Sequence, residues 1–474
     1  MGRRVMILAA GVGSGHNQAA SAVEAALATL GTDDEVRRLD ILETTNEIFN
    51  RVYDDAYFAL VSEAPWLVGW GYDQADAPFK LRSIVTWLEQ LNTIPFLREV
   101  RDYDPDVVIC THFLPARLVS IMLARRQLKA TLTVVGTDYD FQGLWLTSPF
   151  HHFFAARDES REYLTSIGIP SDRVSAWGIP VRQGLADPVD RDAVLTRFNL
   201  RPDLPVVLIS AGAAGGAYTT QIVAQTLRMA SPFQAVVVCG RNAELKASIE
   251  AQVADRTESY RVLGYTTEMA DLMRISSLFV GKPGGLSSSE CMAVGLPMVI
   301  INPIPGQEVR NADYLLEEGA AVRCNYATTV GHKIDQLLAD PERLARLADN
   351  ARRVGRPNAG RDVAQTSLAI TGEPLWISRE AQRSMLLSGE QGVAASDLAD
   401  AKRLKTLRDP ATGLSLALVT QGQLEVLGAR PGATSAHLAL PWLNAVRWQP
   451  ENFDLATTGR WLLGTSEERT IRID

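Results

Sequence analysis

A glycine-rich turn between a short apolar run and a helix start, at residues 278–290, constrains the fold of this chain more than any other feature. The run Leu278-Phe279-Val280 predicts a buried strand, and the turn Gly281-Lys282-Pro283-Gly284-Gly285 lets the backbone approach a ligand closely. The segment from Ser287 to Glu290 predicts a helix start, whose unpaired amide donors and positive dipole end point back at the turn. The block therefore predicts a site that holds an anionic phosphate without a metal.

A second strand and turn follow shortly afterwards. Met298 to Ile301 is another apolar run, and the Pro305-Gly306 turn behind it carries Gln307 and Glu308. Residues in such a turn are exposed by default, but loops beside rigid strands commonly carry function, and these two side chains suit hydrogen bonds to sugar hydroxyls. Together the two turns predict a site for a nucleotide sugar.

Composition limits the class of protein. The 474 residues suffice for about three domains, and a net charge of −8 without a basic domain predicts no nucleic-acid partner. The four cysteines lie far apart in or beside apolar runs, which predicts buried free thiols. No apolar run reaches the roughly 18 residues of a membrane span. Residues 1–10 predict a first strand rather than a signal peptide, so we expect a cytoplasmic protein.

Short apolar strands alternate with amphipathic helices in two series, one over the first 150 residues and one that begins at Pro205. This alternation predicts two doubly wound α/β domains that face each other across a cleft, with the ligand at the carboxyl ends of the strands. The segment from Gly178 to Asp203 predicts a hinge. Helical sequence from Pro341 to Ile370 is expected to close the second series, and its last helix to pack back on the first domain.

The character of the sequence changes after Thr371. Gly413–Thr420 and Gln423–Gly428 alternate apolar and polar residues around a Gln421-Gly422 turn, which predicts a hairpin. We predict a small β-rich module preceded by a helical linker, and its sequence does not indicate a function.

Several further motifs resemble those of one group of glycosyltransferases. They are Gly13-Ser14-Gly15-His16-Asn17-Gln18-Ala19-Ala20, Cys110-Thr111-His112, Thr137-Asp138-Tyr139, Cys239-Gly240-Arg241-Asn242 and Arg356-Pro357-Asn358-Ala359. With the block at residues 278–308, they resemble the family of the monogalactosyldiacylglycerol synthases and processive diacylglycerol glucosyltransferases, which is related to the peptidoglycan N-acetylglucosaminyltransferase. The resemblance ends near residue 372.

This resemblance implies an α/β fold of the GT-B type with two facing Rossmann-like domains. Residues 1–180 would form the lipid-acceptor domain, residues 181–372 the UDP-sugar donor domain, and residues 373–474 a β-rich accessory module. The implied donor-binding residues are Gly212, Arg241, Gly264, Tyr265, Lys282, Pro283, Gly284, Gly285, Leu286, Ser287, Glu290, Gln307 and Glu308.

Two of these implied roles have structural alternatives. Glu290 matches the family glutamate that binds both ribose hydroxyls, although its spacing from Ser287 equally matches a capping box. Gly264-Tyr265 lies where the family reads uracil with backbone groups. Gly212 could shape the diphosphate side of the cleft or simply permit tight packing of a strand on a helix.

His16 is the predicted catalytic base. The dinucleotide-binding fingerprint would need a third glycine at position 16, so that pattern fails. A histidine near a helix start is kept neutral by the dipole, as a general base requires, and the alternative is a loop histidine bonded to its own backbone. The resemblance places this histidine at the acceptor hydroxyl. Gly15, His112 and Asp138 are further acceptor-side residues, of which His112 could equally be a satisfied structural histidine.

Asp138-Tyr139-Asp140 matches a metal-binding Asp-x-Asp pattern, but the chain also carries Asp104-Pro105-Asp106 and Asp190-Arg191-Asp192. Because this triplet recurs along the chain, it is weak evidence for a metal site. The phosphate site at the helix start makes a metal unnecessary, so we predict none. Gln142 stands where family members often carry a histidine, which leaves an acid/base or lipid-contact role of that position in doubt.

Residues 49–70 combine apolar residues at helical spacing with two tryptophans. Such a pattern is more often core than membrane face. The resemblance implies that this region inserts between lipids, and it predicts membrane docking through Tyr57, Phe58, Trp66 and Trp70. A cluster of basic residues is the more plausible lipid-facing group, and it comprises Arg117, Arg125, Arg126 and Lys129. The alternative is that these residues form a solvated helix face.

We therefore predict an inverting, metal-independent glycosyltransferase without a cofactor, which moves a hexose from a UDP-sugar to a membrane lipid, diacylglycerol, at the inner face of the cell membrane. Two alternatives stay open at this point. One is transfer of N-acetylglucosamine to a polyprenyl-linked cell-wall precursor, and the other is a non-catalytic nucleotide-sugar sensor. Residues 137–139 and 356–359 weigh against the first, and the retained His16, Glu290 and Gln307 weigh against the second.

Overall fold

The computed structural model of the chain describes residues 2–11, 15–44, 76, 78–79, 93–212, 216 and 218–389, together with the backbone of short strands between residues 406 and 472. The chain divides into two compact units, Met1–Met385 and Leu386–Asp474. The first unit contains two six-stranded sheets, and the second contains antiparallel strands.

The first sheet is parallel and its strand order is β2-β1-β3-β4-β5-β6. Its strands are β1 (Arg4–Ala9), β2 (Glu35–Asp40), β3 (Val107–Cys110), β4 (Thr131–Val135), β5 (His152–Ala155) and β6 (Val174–Ala176). Sheets of this kind are covered on both faces, and β3, the run Val-Val-Ile-Cys, is accordingly buried along its whole length. The order reverses direction between β1 and β3, which creates a switch point at that edge.

Helices on both faces cover this sheet. Those described are α1 (Gly15–Thr29), α2 (Ile94–Tyr103), α3 (Phe113–Ala124) and α4 (Asp158–Ser166). The prediction of a helix from Gln18 is confirmed, although α1 begins earlier, at Gly15. Its buried face is built largely of alanine, which allows close packing on the sheet.

The second sheet is also parallel, with the order β12-β11-β10-β7-β8-β9. Its strands are β7 (Val206–Ser210), β8 (Gln234–Val238), β9 (Tyr260–Leu263), β10 (Leu278–Gly281), β11 (Met298–Ile301) and β12 (Ala321–Cys324). Its helices are α5 (Arg191–Arg197), α6 (Thr219–Thr226), α7 (Ala243–Gln252), α8 (Met269–Ile275), α9 (Gly285–Val294), α10 (Gln307–Glu317), α11 (Val330–Leu338) and α12 (Pro341–Val354). The predicted fold class, with two Rossmann-like halves, is confirmed. The switch point of this sheet lies between β7 and β10.

The chain returns to the first half after α12. Helix α13 (Ala359–Ala369) packs on α1 so closely that a Cβ added at Gly360 would lie 3.3 Å from the Ala22 carbonyl oxygen. Val363 and Ala364 join the core of the first sheet, which confirms the predicted return. The motif Arg356–Ala359 packs against the start of the hinge: a Cβ added at Gly178 would lie 2.5 Å from the Arg356 side chain.

Residues beyond the predicted boundary at 372 also belong to the first half. The backbone of Leu375 pairs with Phe150, and Ile377 and Met385 are buried in the core around the first sheet. Helix α14 (Arg379–Gly389) follows this pairing. The first compact unit therefore ends at Met385.

The second unit is described through its strands alone. They are β13 (Thr406–Arg408), β14 (Ser415–Ala417), β15 (Val446–Arg447), β16 (Thr458–Leu463) and β17 (Glu467–Arg472). β13 pairs antiparallel with β14, and β16 pairs antiparallel with both β15 and β17. The predicted hairpin partner, residues 423–428, lies outside the described residues.

Candidate active site between the two sheets

The loops at the two switch points meet at the junction of the sheets. His16 follows β1, Thr111 follows β3 and Thr137 follows β4, all at the carboxyl edge of the first sheet. The glycine turn after β10 approaches them from the second sheet, since a Cβ added at Gly285 would lie only 2.0 Å from the Thr137 carbonyl oxygen. Parallel sheets bind ligands at such carboxyl edges.

The ring of His16 is held by one nitrogen. Its Nδ1 lies 3.0 Å from the Thr111 carbonyl oxygen and 2.9 Å from Thr137 Oγ1. Because a carbonyl can only accept, Nδ1 must carry the proton, and in a neutral ring Nε2 is then an unprotonated acceptor. Burial lowers the pKa of His16 to about 4, against smaller raising effects of the Thr111 hydrogen bond and Asp40. His16 is therefore neutral at physiological pH, as a general base requires.

Aromatic rings surround this histidine. The His112 ring meets it edge to face at 4.5 Å, and Trp145 lies 6.2 Å away. His112 itself caps α3, because its Nδ1 accepts a hydrogen bond from Leu114 N at 3.1 Å. That contact supports the structural role of His112 that the sequence left open. Gln142 is also buried and has a similar capping role: its Oε1 accepts a hydrogen bond from Leu144 N at 3.3 Å at the start of a 3-10 turn.

The donor turn leads directly into α9. The helix begins at Gly285 with Gly284 as its N-cap, so Ser287 lies inside the helix and the capping-box alternative for Ser287 and Glu290 is wrong. The free amides of the first helical turn point at the junction. Leu286 is buried beside Gly15, where an added Cβ would lie 3.5 Å from its Cδ2.

Glu290 is a buried carboxylate that pairs with the hinge. Arg182 Nε lies 3.3 Å from Glu290 Oε1, and Arg182 Nη1 also donates to the Thr267 carbonyl. Burial raises the pKa of Glu290, while Arg182 lowers it. Arg182 thus opposes the effect of burial on the pKa of the carboxylate at the position that the resemblance assigns to the ribose hydroxyls.

A second cluster links the donor turn to the acceptor loop. Asn311 is fully buried and donates from Nδ2 to both Asp138 Oδ1 and the Pro283 carbonyl at 3.2 Å, while its Oδ1 accepts from Tyr139 N at 2.9 Å. Burial raises the pKa of Asp138 to about 6. Burial also raises the pKa of Glu308. The hydrogen bond that Glu308 accepts from Ile304 N at 2.7 Å and the positive charge of Lys282 both act in the opposite direction.

The two carboxylates of the Asp-x-Asp triplet face different partners. Asp140 is paired with Arg157 at 3.3 Å and with Arg310 at 3.2 Å, whereas Asp138 is bonded to Asn311. Arginine partners compete with a cation for the same oxygens, so this arrangement supports the prediction that the triplet does not hold a metal.

The remaining predicted donor residues lie along the carboxyl edge of the second sheet. Gly212 follows β7 with a φ of 69°, and Gly264 follows β9. The Arg241 guanidinium lies 5.4 Å above the Tyr265 ring, which is 67% exposed, so these two residues form one surface. Gln307 is half-buried and is the first residue of α10.

The predicted membrane-docking residues Tyr57, Phe58, Trp66 and Trp70 lie outside the described residues. Within the described part of the chain, no helix combines the length and apolarity needed to cross a membrane.

Sequence reasoning missed Arg182, Arg310, Asn311 and Trp145. Asn311 lies one helical turn after Gln307 and could have been found from that spacing, since residues four apart share a helix face. Arg182 and Trp145 carry no local signal, because their partners are distant in sequence.

Two family models match this chain. Residues 16–181 match the model described as monogalactosyldiacylglycerol (MGDG) synthase, and residues 221–354 match the model described as glycosyl transferases group 1. The first match begins at His16. The second match contains the glycine turn, Glu290 and Asn311. The resemblance predicted from the motifs is therefore confirmed.

Individual relatives agree with the models. A processive diacylglycerol beta-glucosyltransferase of Bacillus licheniformis is 27% identical over 384 residues, which cover 81% of this chain and 99% of that protein. Among solved structures, MurG of Acinetobacter baumannii has a TM-score of 0.50 at 18% identity, covering 78% of this chain and all of that one. A UDP-GlcNAc 2-epimerase of Neisseria meningitidis has a TM-score of 0.51 at 16% identity, covering 77% of this chain and all of that one. These two structures confirm the fold alone.

Proposed function

This chain is a glycosyltransferase that combines a monogalactosyldiacylglycerol synthase domain, residues 16–181, with a group 1 glycosyltransferase domain, residues 221–354, and from that premise we propose that it moves a hexose from a UDP-sugar to diacylglycerol. The relative from Bacillus licheniformis, a diacylglycerol glucosyltransferase, supports this acceptor. The observation that carries the proposal is the tether of His16 Nδ1 to the Thr111 carbonyl, which leaves Nε2 as a base at the junction of the sheets.

The proposed reaction is a single displacement. Nε2 of His16 takes the proton of the acceptor hydroxyl, and the hydroxyl oxygen attacks the anomeric carbon as the bond to the diphosphate breaks, so the configuration inverts. The Thr111 carbonyl stays bonded to Nδ1–H and stabilises the imidazolium that forms.

The leaving diphosphate is stabilised without a metal in this proposal. Amides of the first turn of α9 and the ammonium of Lys282 lie at the donor turn, where negative charge develops. Glu290, paired with Arg182, would accept hydrogen bonds from both ribose hydroxyls, and Gln307 and Glu308 would bond the sugar.

Transfer is tested with dioleoylglycerol in phosphatidylcholine vesicles and either UDP-glucose or UDP-galactose, in excess EDTA. We expect UDP release that depends on dioleoylglycerol, and a glycolipid whose mass shows added hexose and whose glycosidic linkage has the inverted anomeric configuration. His16→Ala should lower turnover by about 10²–10⁴-fold. UDP release without a glycolipid product, or activity that requires added manganese, would contradict the proposal.

Peripheral association with the membrane is part of the same proposal, because the acceptor is a membrane lipid. Burying a large side chain contributes about 1.5–3 kcal/mol, so replacing Trp66 and Trp70 with serine should weaken vesicle binding at least about tenfold. Sedimentation with vesicles measures this, and circular dichroism of the double variant checks its fold. Unchanged binding by a folded variant would remove these residues from the membrane surface.

A further inference from the structure

One arginine of the donor domain reaches across the junction to two carboxylates of the acceptor domain. Arg310 lies in the first turn of α10, and its Nη1 and Nη2 donate to the two carboxylate oxygens of Asp76, each at 3.0 Å. Nη1 also donates to Asp140 Oδ2 at 3.2 Å. The side chains of Arg310 and Asp76 are only 19% and 12% exposed. A two-pronged pair this well shielded from water fixes geometry as well as charge.

The other carboxylate oxygen of Asp140 pairs with an arginine of the acceptor domain. Arg157 Nη2 lies 3.3 Å from Asp140 Oδ1, and the Arg157 guanidinium lies 5.0 Å above the ring of Tyr314 in α10. The Tyr314 ring lies 4.6 Å from that of Tyr139. The loop of residues 137–140, which we name the acceptor loop, is thus bound to α10 at several points.

The acceptor loop leads to the proposed base. Its first residue, Thr137, contacts His16 Nδ1 through Oγ1 at 2.9 Å, and its carbonyl covers Gly285 of the donor turn. A displacement of the loop would therefore change the position of the His16 ring relative to the donor turn. Transfer depends steeply on such geometry, because the attacking oxygen and the anomeric carbon must be aligned.

We propose that Arg310 is a positioning residue for the transfer reaction: with its guanidinium fixed by Asp76, it binds Asp140 and so holds the acceptor loop, and with it His16, against the donor turn. The proposal rests on the proposed function. It assigns Arg310 no contact with the donor nucleotide: the predicted donor residues of its own helix, Gln307 and Glu308, are assigned to the sugar, and the others lie in the loops after the second sheet or in α9. The proposal therefore predicts that a change at Arg310 lowers turnover and leaves UDP affinity intact. An ion pair that only stabilised the fold would, when removed from a protein that still folds, alter neither quantity.

The test uses the full chain, UDP-glucose or UDP-galactose, whichever is transferred, and dioleoylglycerol vesicles. Arg310→Gln should lower kcat by about tenfold to a hundredfold, the range expected for losing charge-assisted hydrogen bonds, while calorimetric UDP affinity stays within about twofold. Arg310→Lys keeps the charge but not the two-pronged geometry, and we expect a loss of roughly threefold to tenfold. Arg197→Gln is the matched control, because Arg197 also bonds two carboxylates, Glu268 and Asp271, but within the donor domain. It should leave kcat unchanged.

A charge exchange distinguishes positioning from general stability. Asp76→Arg alone should be as impaired as Arg310→Gln, and combining it with Arg310→Asp should recover at least about tenfold in kcat over either single charge reversal. If Arg310→Gln does not fold, the same comparison is made with Arg310→Lys: its loss of kcat is set against its change in UDP affinity. A folded Arg310 variant with wild-type kcat, or one that loses UDP affinity in proportion to kcat, overturns the proposal. If the wild-type chain transfers no sugar, it is the proposed function that fails, and that result is visible before any variant is compared.

Discussion

At the level of single residues, the protonation state of His16 sets the pH range in which the site can act. Burial lowers the pKa of His16 to about 4, so the ring loses its neutral form only as the pH falls through about 4, far below the usual 6.5. Since kcat/KM reports the free enzyme, its acid limb should have a midpoint near pH 4. Initial rates from pH 8 down to about pH 3, beyond the expected midpoint, measure this.

Asp138 provides the control for that profile, because burial raises its pKa to about 6. Asp138→Asn should keep the low midpoint if His16 is the group that titrates. A wild-type midpoint near pH 6 that disappears in Asp138→Asn would assign the limb to Asp138 instead.

Glu290 and Arg182 form the second residue-level pair with an expected consequence. A charge-assisted hydrogen bond contributes about 1.5–3 kcal/mol, so Glu290→Ala should weaken UDP binding by roughly tenfold to a hundredfold. His16→Ala should leave UDP affinity nearly intact, because its base acts only during transfer. Calorimetric titration of both variants compares them. Loss of UDP binding in His16→Ala, with normal binding in Glu290→Ala, would exchange the two roles.

Arg182 predicts a pH effect on the same binding step. It lowers the pKa of Glu290, which burial raises, so Arg182→Gln should leave Glu290 more readily protonated. The UDP affinity of this variant should then fall more steeply than that of the wild type as the pH is lowered. Parallel pH profiles for the two proteins would contradict an ionised Glu290 as the ribose ligand.

At the level of elements, the close approach of Gly285 to the Thr137 carbonyl makes the start of α9 sensitive to a single methyl group. A Cβ at Gly285 would lie 2.0 Å from that backbone oxygen, so Gly285→Ala must push the two halves apart. Overpacking of this kind costs about 1–3 kcal/mol, and we expect turnover to fall at least about tenfold. Gly15→Ala is a milder comparison, because its Cβ would meet the flexible Leu286 side chain at 3.5 Å. Equal turnover in the two variants, both folded, would show that the junction yields easily.

The elements themselves could be predicted from the sequence because they rest on local patterns. Apolar runs and glycine turns located β10, β11 and the donor turn, and the return of α13 followed from the order of elements. The sequence predicts the start of α9 at Ser287, whereas the helix begins at Gly285 with Gly284 as its N-cap. The partners of Glu290, Asp138 and Asp140 could not be predicted, since Arg182, Asn311 and Arg310 meet them only through the tertiary fold.

At the level of the whole molecule, the position of residues 373–389 decides how much of the chain the first unit needs. The side chains of Ile377 and Met385 are 7% and 3% exposed in the core around the first sheet, and Leu375 pairs with the backbone of Phe150. Burying a side chain of this size contributes about 1.5–3 kcal/mol, so a chain ending at residue 372 should lose roughly 3–6 kcal/mol of unfolding free energy relative to one ending at residue 389. Urea unfolding measures that difference.

The chain ending at residue 389 should unfold cooperatively and bind UDP as the full chain does, because the predicted donor residues all precede residue 389. Equal stability of the two shortened chains would restore residue 372 as the boundary of the transferase, and loss of UDP binding by the longer one would show that residues 390–474 complete the donor site.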